Sequence, residues 1–118
     1  PEVPVEAVSP EHAYFIINGK EHHYLNKSII KIGRRSTSDI QLDDPMVSRD
    51  HLQLRAKQGR YLLFDLSSTG GTFLNDQPVK TAILKPGDVI RIGKTLLVYN
   101  QDFPETGSNP TTIIATKE

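Results

Sequence analysis

Apolar residues in this chain come in short runs that alternate with polar ones at a period of two. From His51 to Arg55, Leu52 and Leu54 point one way while Gln53 and Arg55 point the other, and Ile90 and Ile92 oppose Val89, Arg91 and Gly93 in the same manner. Such alternation belongs to strands with one buried face. Similar runs cover Tyr14–Asn18, His23–Leu25, Ser28–Gly33, Asp39–Leu42, Arg60–Leu66, Thr72–Asn75 and Thr95–Tyr99, each bounded by Gly, Pro, Asp or Ser. No window carries a helical period. The pattern predicts an all-β fold, an antiparallel β-sandwich of many short strands. Asn18-Gly19 predicts a two-residue hairpin turn. Lys85-Pro86-Gly87-Asp88 predicts a tight turn, and Ile92-Gly93-Lys94-Thr95 another one after the following strand.

The texture divides the chain. Residues 1–11, with their prolines, read as an N-terminal arm or linker, residues 12–102 as the sandwich domain, and residues 103–118 as a flexible polar tail. Beginning at Pro1 and not at Met, the sequence is expected to be a piece of something longer. Hydrophobic residues make up 36% of its 118 residues, as expected of polar ends around one modest core.

Charge and composition exclude several roles. Formal net charge is +0, with 14 basic and 14 acidic side chains, so the basic excess of a nucleic-acid binder is missing. With no cysteine there is neither a disulfide framework nor a Cys-based metal site, and no apolar run reaches the length of a membrane span. No cofactor, metal, membrane or nucleic-acid partner is therefore expected. His22-His23 lacks a third ligand, and neighbours on a strand face opposite ways. Gly93-Lys94-Thr95 lacks the first glycine of a phosphate-binding P-loop, because Asp88 occupies that place, and a strand follows where a helix is needed. Asp43-Asp44 before Pro45 reads as a turn former, not an acid/base pair. No catalytic constellation emerges, so the chain is not expected to be an enzyme.

Three segments carry the candidate chemistry: Ile32–Leu42, Asp44–Leu54 and Asp65–Asn75. Each sets Gly, Ser, Thr, Asp or Arg in a loop beside a β-type run. Arginine next to hydroxyls on rigidly held loops suits a phosphate group, since a guanidinium grips two phosphate oxygens while hydroxyls and amides take the rest. Position alone leaves Arg34 open between that role and a solvated surface residue.

Taken together these segments resemble the forkhead-associated (FHA) domain, over about Tyr14 to Tyr99. Gly33-Arg34 matches the family's Gly-Arg signature, Ser48-Arg49-Asp50-His51 its Ser-x-x-His motif, and Ser67–Thr72 its Ser-Thr-Asn-Gly-Thr loop. The resemblance implies an FHA/SMAD-like sandwich with binding loops at one end, which reads phosphothreonine in partners modified by Ser/Thr kinases. It implies that Arg34, Ser48, Arg49, Thr69 and Gly70 bind the phosphopeptide, supported by Gly33, His51, Gly71, Thr72 and Asn75. Gly70 stands where the family has an asparagine that bonds the bound peptide's backbone, and is expected in a left-handed conformation. That departure keeps a second reading open: a scaffold of the same fold with lost or altered phosphopeptide binding. A cytoplasmic, monomeric signalling module is expected. Thr111, with Ile114 three residues on, then Thr112 and Thr106, are candidate phosphorylation sites through which the tail would occupy the domain's own pocket or a neighbour's.

Overall fold

A computed structural model describes residues 8–102. The arm before Val8 and the tail with Thr106, Thr111 and Thr112 lie outside the described residues. Eleven strands form the domain: β1 (Glu11–Ile17), β2 (Glu21–Tyr24), β3 (Ile29–Gly33), β4 (Ile40–Gln41), β5 (Leu52–Lys57), β6 (Arg60–Asp65), β7 (Thr72–Leu74), β8 (Gln77–Val79), β9 (Thr81–Ile83), β10 (Val89–Ile92) and β11 (Thr95–Asp102). One sheet has six strands in the order β2-β1-β11-β10-β7-β8, the other five in the order β4-β3-β5-β6-β9.

The period-two pattern sets the faces. On β5, Leu52, Leu54 and Ala56 are buried while Arg55 and Lys57 are exposed; on β10, Ile90 and Ile92 are wholly buried. Inner faces of the two sheets meet around Phe15, Tyr61 and Tyr99, whose rings pack edge to face. The polar tips of these buried tyrosines are satisfied: Tyr61 donates to the Lys27 carbonyl and Tyr99 to Gln101 Oε1.

Four details depart from expectation. The β3–β4 pair is parallel, so the sandwich is mixed. The β1–β2 connection has three residues, because Ile17 faces Glu21 in the ladder. Asn18 and Gly19 both take positive φ as a primed turn requires, but Lys20 is left outside the pairing and Asn18 bonds Leu96 instead. Strands β8 and β9 carry no readable pattern, being three residues each and lying at sheet edges, where Pro78 is tolerated. Finally, β1 begins at Glu11, which pairs with Asp102, and the Val8 carbonyl accepts from Gly59 N. Val8 and Glu11, both in the segment assigned to the arm, are thus bonded to the sandwich.

Candidate functional site

Loops β3–β4, β4–β5 and β6–β7 gather with the β10–β11 turn at one end of the sandwich. Gly33 ends β3 with its backbone pressed against the next loop. A Cβ there would lie 2.1 Å from the Arg49 carbonyl oxygen, so only glycine fits, through close approach and not through a positive φ. This contact sets Arg34 beside the β4–β5 loop. Arg34 N donates to Ser48 O at 3.1 Å, and Arg34 Nε to Val47 O at 2.8 Å. Nε is thereby engaged, and the terminal nitrogens make no hydrogen bond among the described residues.

His51 connects two of the loops. Its ring is fully buried, Nδ1 accepts from Ser48 N at 3.0 Å, and Nε2 lies 2.9 Å from the Gly71 carbonyl. An amide can only donate and a carbonyl only accept, so the ring is held as the Nε2–H tautomer. Ser48 adds a second tie, its Oγ accepting from Thr69 N at 3.0 Å. Because that bond uses a lone pair, the hydroxyl proton remains available to a ligand.

The third loop is wound around Asp65, at the end of β6. Its carboxylate accepts from the Ser68 amide and hydroxyl and from the Thr72 hydroxyl, and Lys80 Nζ stands 3.8 Å away. Ser68 Oγ in turn accepts from Gly71 N. Burial alone pushes the Asp65 carboxyl up, but the bonds from Ser68 and Thr72 outweigh it and hold it below the usual carboxylate value. Gly71 has φ +85°, whereas Gly70 is not left-handed, and a Cβ at Gly70 would meet only the Met46 carbonyl, at 3.6 Å. The left-handed position is thus one residue later than expected.

Arg34, Ser48, Thr69 and Gly70 line one open depression of about 300 Å³, completed by Pro45, Met46 and Val47. Arg49 lies exposed on the same loop as Ser48. The nearby carboxylate of Asp50 is engaged bidentately by Arg35, at 3.1 and 3.0 Å, and this pairing lowers the Asp50 pKa and raises that of Arg35. The local balance of charge at the depression is therefore positive. Gly33, His51, Gly71 and Thr72 join the loops that line it through the contacts above.

Asn75 does not. It occupies the β7–β8 turn at φ +49°, donates to Asp88 Oδ1 and accepts from Val89 N, and so braces the start of β10. His22, on β2, stacks on Tyr14 of β1, and among the described residues no cluster of three His, Cys, Asp or Glu is placed to hold a metal.

Two supporting residues escaped the sequence reading. Asp65 does so because its partners Ser68 and Thr72 become neighbours only when the loop closes. Asp44 was read as a turn former, and it does accept from Met46 N. The same buried carboxylate also accepts from Lys94 N at 2.7 Å and Thr95 Oγ1 at 2.9 Å, fifty residues along the chain, locking the β4–β5 loop to the β10–β11 turn. No local pattern could have shown that.

Comparison with known proteins agrees with this geometry. The sequence profile of the FHA domain matches residues 30–93, which include all three loops. Glycogen accumulation regulator GarA of Mycobacterium tuberculosis is 36% identical over 99 residues, covering 80% of this chain and 61% of GarA. The chain thus spans about three fifths of the length of that curated relative. The FHA domain of FhaA, solved in complex with the intracellular domain of Rv3910, is 33% identical with a TM-score of 0.71, covering 75% of this chain and 99% of that one. The N-terminal FHA domain of S. cerevisiae Rad53p, solved with a phosphothreonine peptide, is 26% identical with a TM-score of 0.67, covering 76% of this chain and 93% of that one. Profile, fold and loop geometry agree, and the chain belongs to the FHA domain family.

Proposed function

We propose that this domain binds partner proteins phosphorylated on threonine, with the phosphate seated among Arg34, Ser48 and Thr69. The observation that carries the reading is their convergence, from three separate loops, on one depression whose neighbouring acid, Asp50, is already paired. Arg34 supplies charge through its terminal nitrogens, and Ser48 and Thr69 supply hydroxyls. Arg49 contributes a second cation at the rim. The Nε bond to Val47 O, the Thr69 N–Ser48 Oγ bond and the buried His51 ring hold these donors before the ligand arrives, which lowers the ordering cost of binding. An unphosphorylated peptide leaves Arg34 and the hydroxyls without their partner and is rejected. A short peptide on so small a site fits an affinity of about 1 μM, or about −8 kcal/mol.

On this reading the domain recognises without chemistry and acts as a monomer in the cytoplasm, and its partners are products of Ser/Thr kinases. GarA is named for control of glycogen accumulation, and this chain would serve the same kind of regulation by capturing a phosphorylated protein. Gly70 favours a second reading, a scaffold that keeps the fold without phosphopeptide affinity. Calorimetry with a phosphothreonine peptide library and its unphosphorylated counterpart separates the two. Binding that requires the phosphate, and that falls by about 2–5 kcal/mol in Arg34→Ala with the fold intact, supports the pocket. Unchanged affinity in Arg34→Ala overturns it.

A further inference from the structure

The chain is tied to the sandwich before its first strand begins. Followed backwards from β1, Pro10 is buried, Ser9 half-buried and Val8 41% exposed, so the backbone comes to the surface at Val8. It does so at the β5–β6 turn. Gly59 N donates to the Val8 carbonyl at 2.9 Å, and Gly59 O accepts from Gln101 Nε2 at 3.0 Å. Gln58 and Gly59 both take positive φ between the paired Lys57 and Arg60, which makes this turn a tight two-residue hairpin. The same turn borders a depression of about 290 Å³ on the outer face of the five-stranded sheet, lined by Lys57, Gln58, Arg60, Leu62 and Ile83. Its apolar part is Leu62 with Ile83, which face each other in the ladder, and Ile83 is 56% exposed. Leu52 faces Asp65 at one end of the β5–β6 pair and Lys57 faces Arg60 at the other, so the depression is remote from the binding loops.

We propose that this depression is the seat of the chain's own N-terminal segment, residues 1–7, with Val5 and Val3 covering Leu62 and Ile83. The Val8–Gly59 bond delivers the segment to the rim. From Val8 back to Val5 an extended chain spans about 10 Å, and from Gly59 to Leu62 along β6 the rise is also about 10 Å. Length and starting point therefore bring Val5 level with the Leu62–Ile83 pair. The sequence suits an extended seat: Pro4 fixes its own φ and keeps Val3 out of the helical region. Alternation puts Val3, Val5 and Ala7 on one side and Glu2, Pro4 and Glu6 on the other. With the valines against the sheet both carboxylates stay in water, so the fit rests on apolar contact and needs no ion pair. Two valines are a small contact, but the tether raises their local concentration to about millimolar, an advantage that a free partner lacks. The segment then acts as a strap that crosses from the six-stranded sheet to the outside of the five-stranded one. This seat lies outside the phosphothreonine reading and does not depend on it.

The test uses the full chain with labelled Val, Leu and Ile methyl groups, studied by NMR. Expected are nuclear Overhauser contacts from Val5 and Val3 methyls to those of Leu62 and Ile83. Val3→Asp with Val5→Asp should abolish them and shift the amides of Lys57–Leu62 and Ala82–Ile83. Ile83→Ser, at an exposed position that the fold tolerates, should shift the Val5 and Val3 signals in return. Glu2→Gln with Glu6→Gln should leave the contacts in place. In all of these variants the affinity for a phosphothreonine peptide should stay within twofold of the original. Failure of the loop site would appear only in that last measurement, as no binding by the original chain, so the two readings are judged separately. The proposal is overturned if the full chain shows no such contacts, or if the double Asp variant leaves the depression's amides unmoved. Loss of the contacts in the Gln variant overturns the apolar seat in favour of a charged one. Contacts seen between labelled and unlabelled chains in a mixture, and lost on dilution, assign the depression to a second copy and overturn the strap.

Discussion

Gly70 and His51 show how much rests on single side chains in the binding loops. At Gly70 the backbone is not left-handed and the space is open, so Asn enters without strain. Gly70→Asn is expected to strengthen phosphothreonine-peptide binding by about 0.5–1.5 kcal/mol, the net worth of one added hydrogen bond to the peptide backbone. Calorimetry checks this, and weaker binding would show that the loop has its own peptide register. His51 behaves differently. Wholly buried and bonded at both nitrogens, it links Ser48 to Gly71, so His51→Ala leaves a partly buried amide and a partly buried carbonyl without this partner. A loss of about 1–3 kcal/mol in stability is expected, measured by thermal or urea unfolding, with peptide affinity falling as a consequence. Abolished binding at an unchanged melting temperature would instead place the ring against the ligand.

At the scale of elements, the site is made by loops pressed together more closely than side chains allow. Gly33→Ala drives a Cβ into the Arg49 carbonyl, and the obstacle is backbone, which cannot rotate away. We expect a cost of about 1–3 kcal/mol from this overpacking, with loss of phosphopeptide affinity because Arg34 and Ser48 are displaced relative to each other. Urea unfolding and calorimetry on the same variant report the two effects. A variant that keeps both stability and affinity would show that the loops can part at no cost. The long strands were legible because their alternation is strict. β8 and β9 were not, since three-residue edge segments are held by the ladder beside them and not by their own propensity. The third residue of the β1–β2 turn was likewise hidden, because the register comes from pairing between strands and from Asn18 reaching Leu96.

Across the whole molecule, two carboxylates make stability depend on pH, Asp44 by tying the β4–β5 loop to the β10–β11 turn and Asp65 by holding the β6–β7 loop. Burial pushes Asp44 and Asp65 up, but hydrogen bonds from Met46, Lys94 and Thr95 to the former, and from Ser68 and Thr72 to the latter, hold both below the ordinary value of 3.8. A carboxyl whose folded pKa is depressed adds stability above its unfolded pKa and loses it as pH falls through the lower folded one. Stability from these two groups is therefore expected to be constant down to about pH 5 and to fall below about pH 4. Urea unfolding at a series of pH values checks this, and the acid limb should flatten in Asp44→Asn and Asp65→Asn. An unaltered acid limb in both variants would remove these carboxylates from the account.

The sequence by itself determined the all-β class and the inward and outward faces of the longer strands, and its likeness to the FHA domain grouped the three loop segments. Class and faces depend on residues a few positions apart, where alternation and turn chemistry act. Tertiary structure alone decided which supports the loops would have. Asp44 meets Thr95 and His51 meets Gly71 only after two sheets have stacked and their connections have converged, and Gly33 meets Arg49 only once β3 and β5 have paired. The same holds for Asn75, which matches a loop-bracing position in sequence yet braces β10, because its turn opens toward Asp88 and Val89. Local pattern encodes which side of a strand is dry, whereas contacts across the sandwich depend on sheet order and register, which no short window contains.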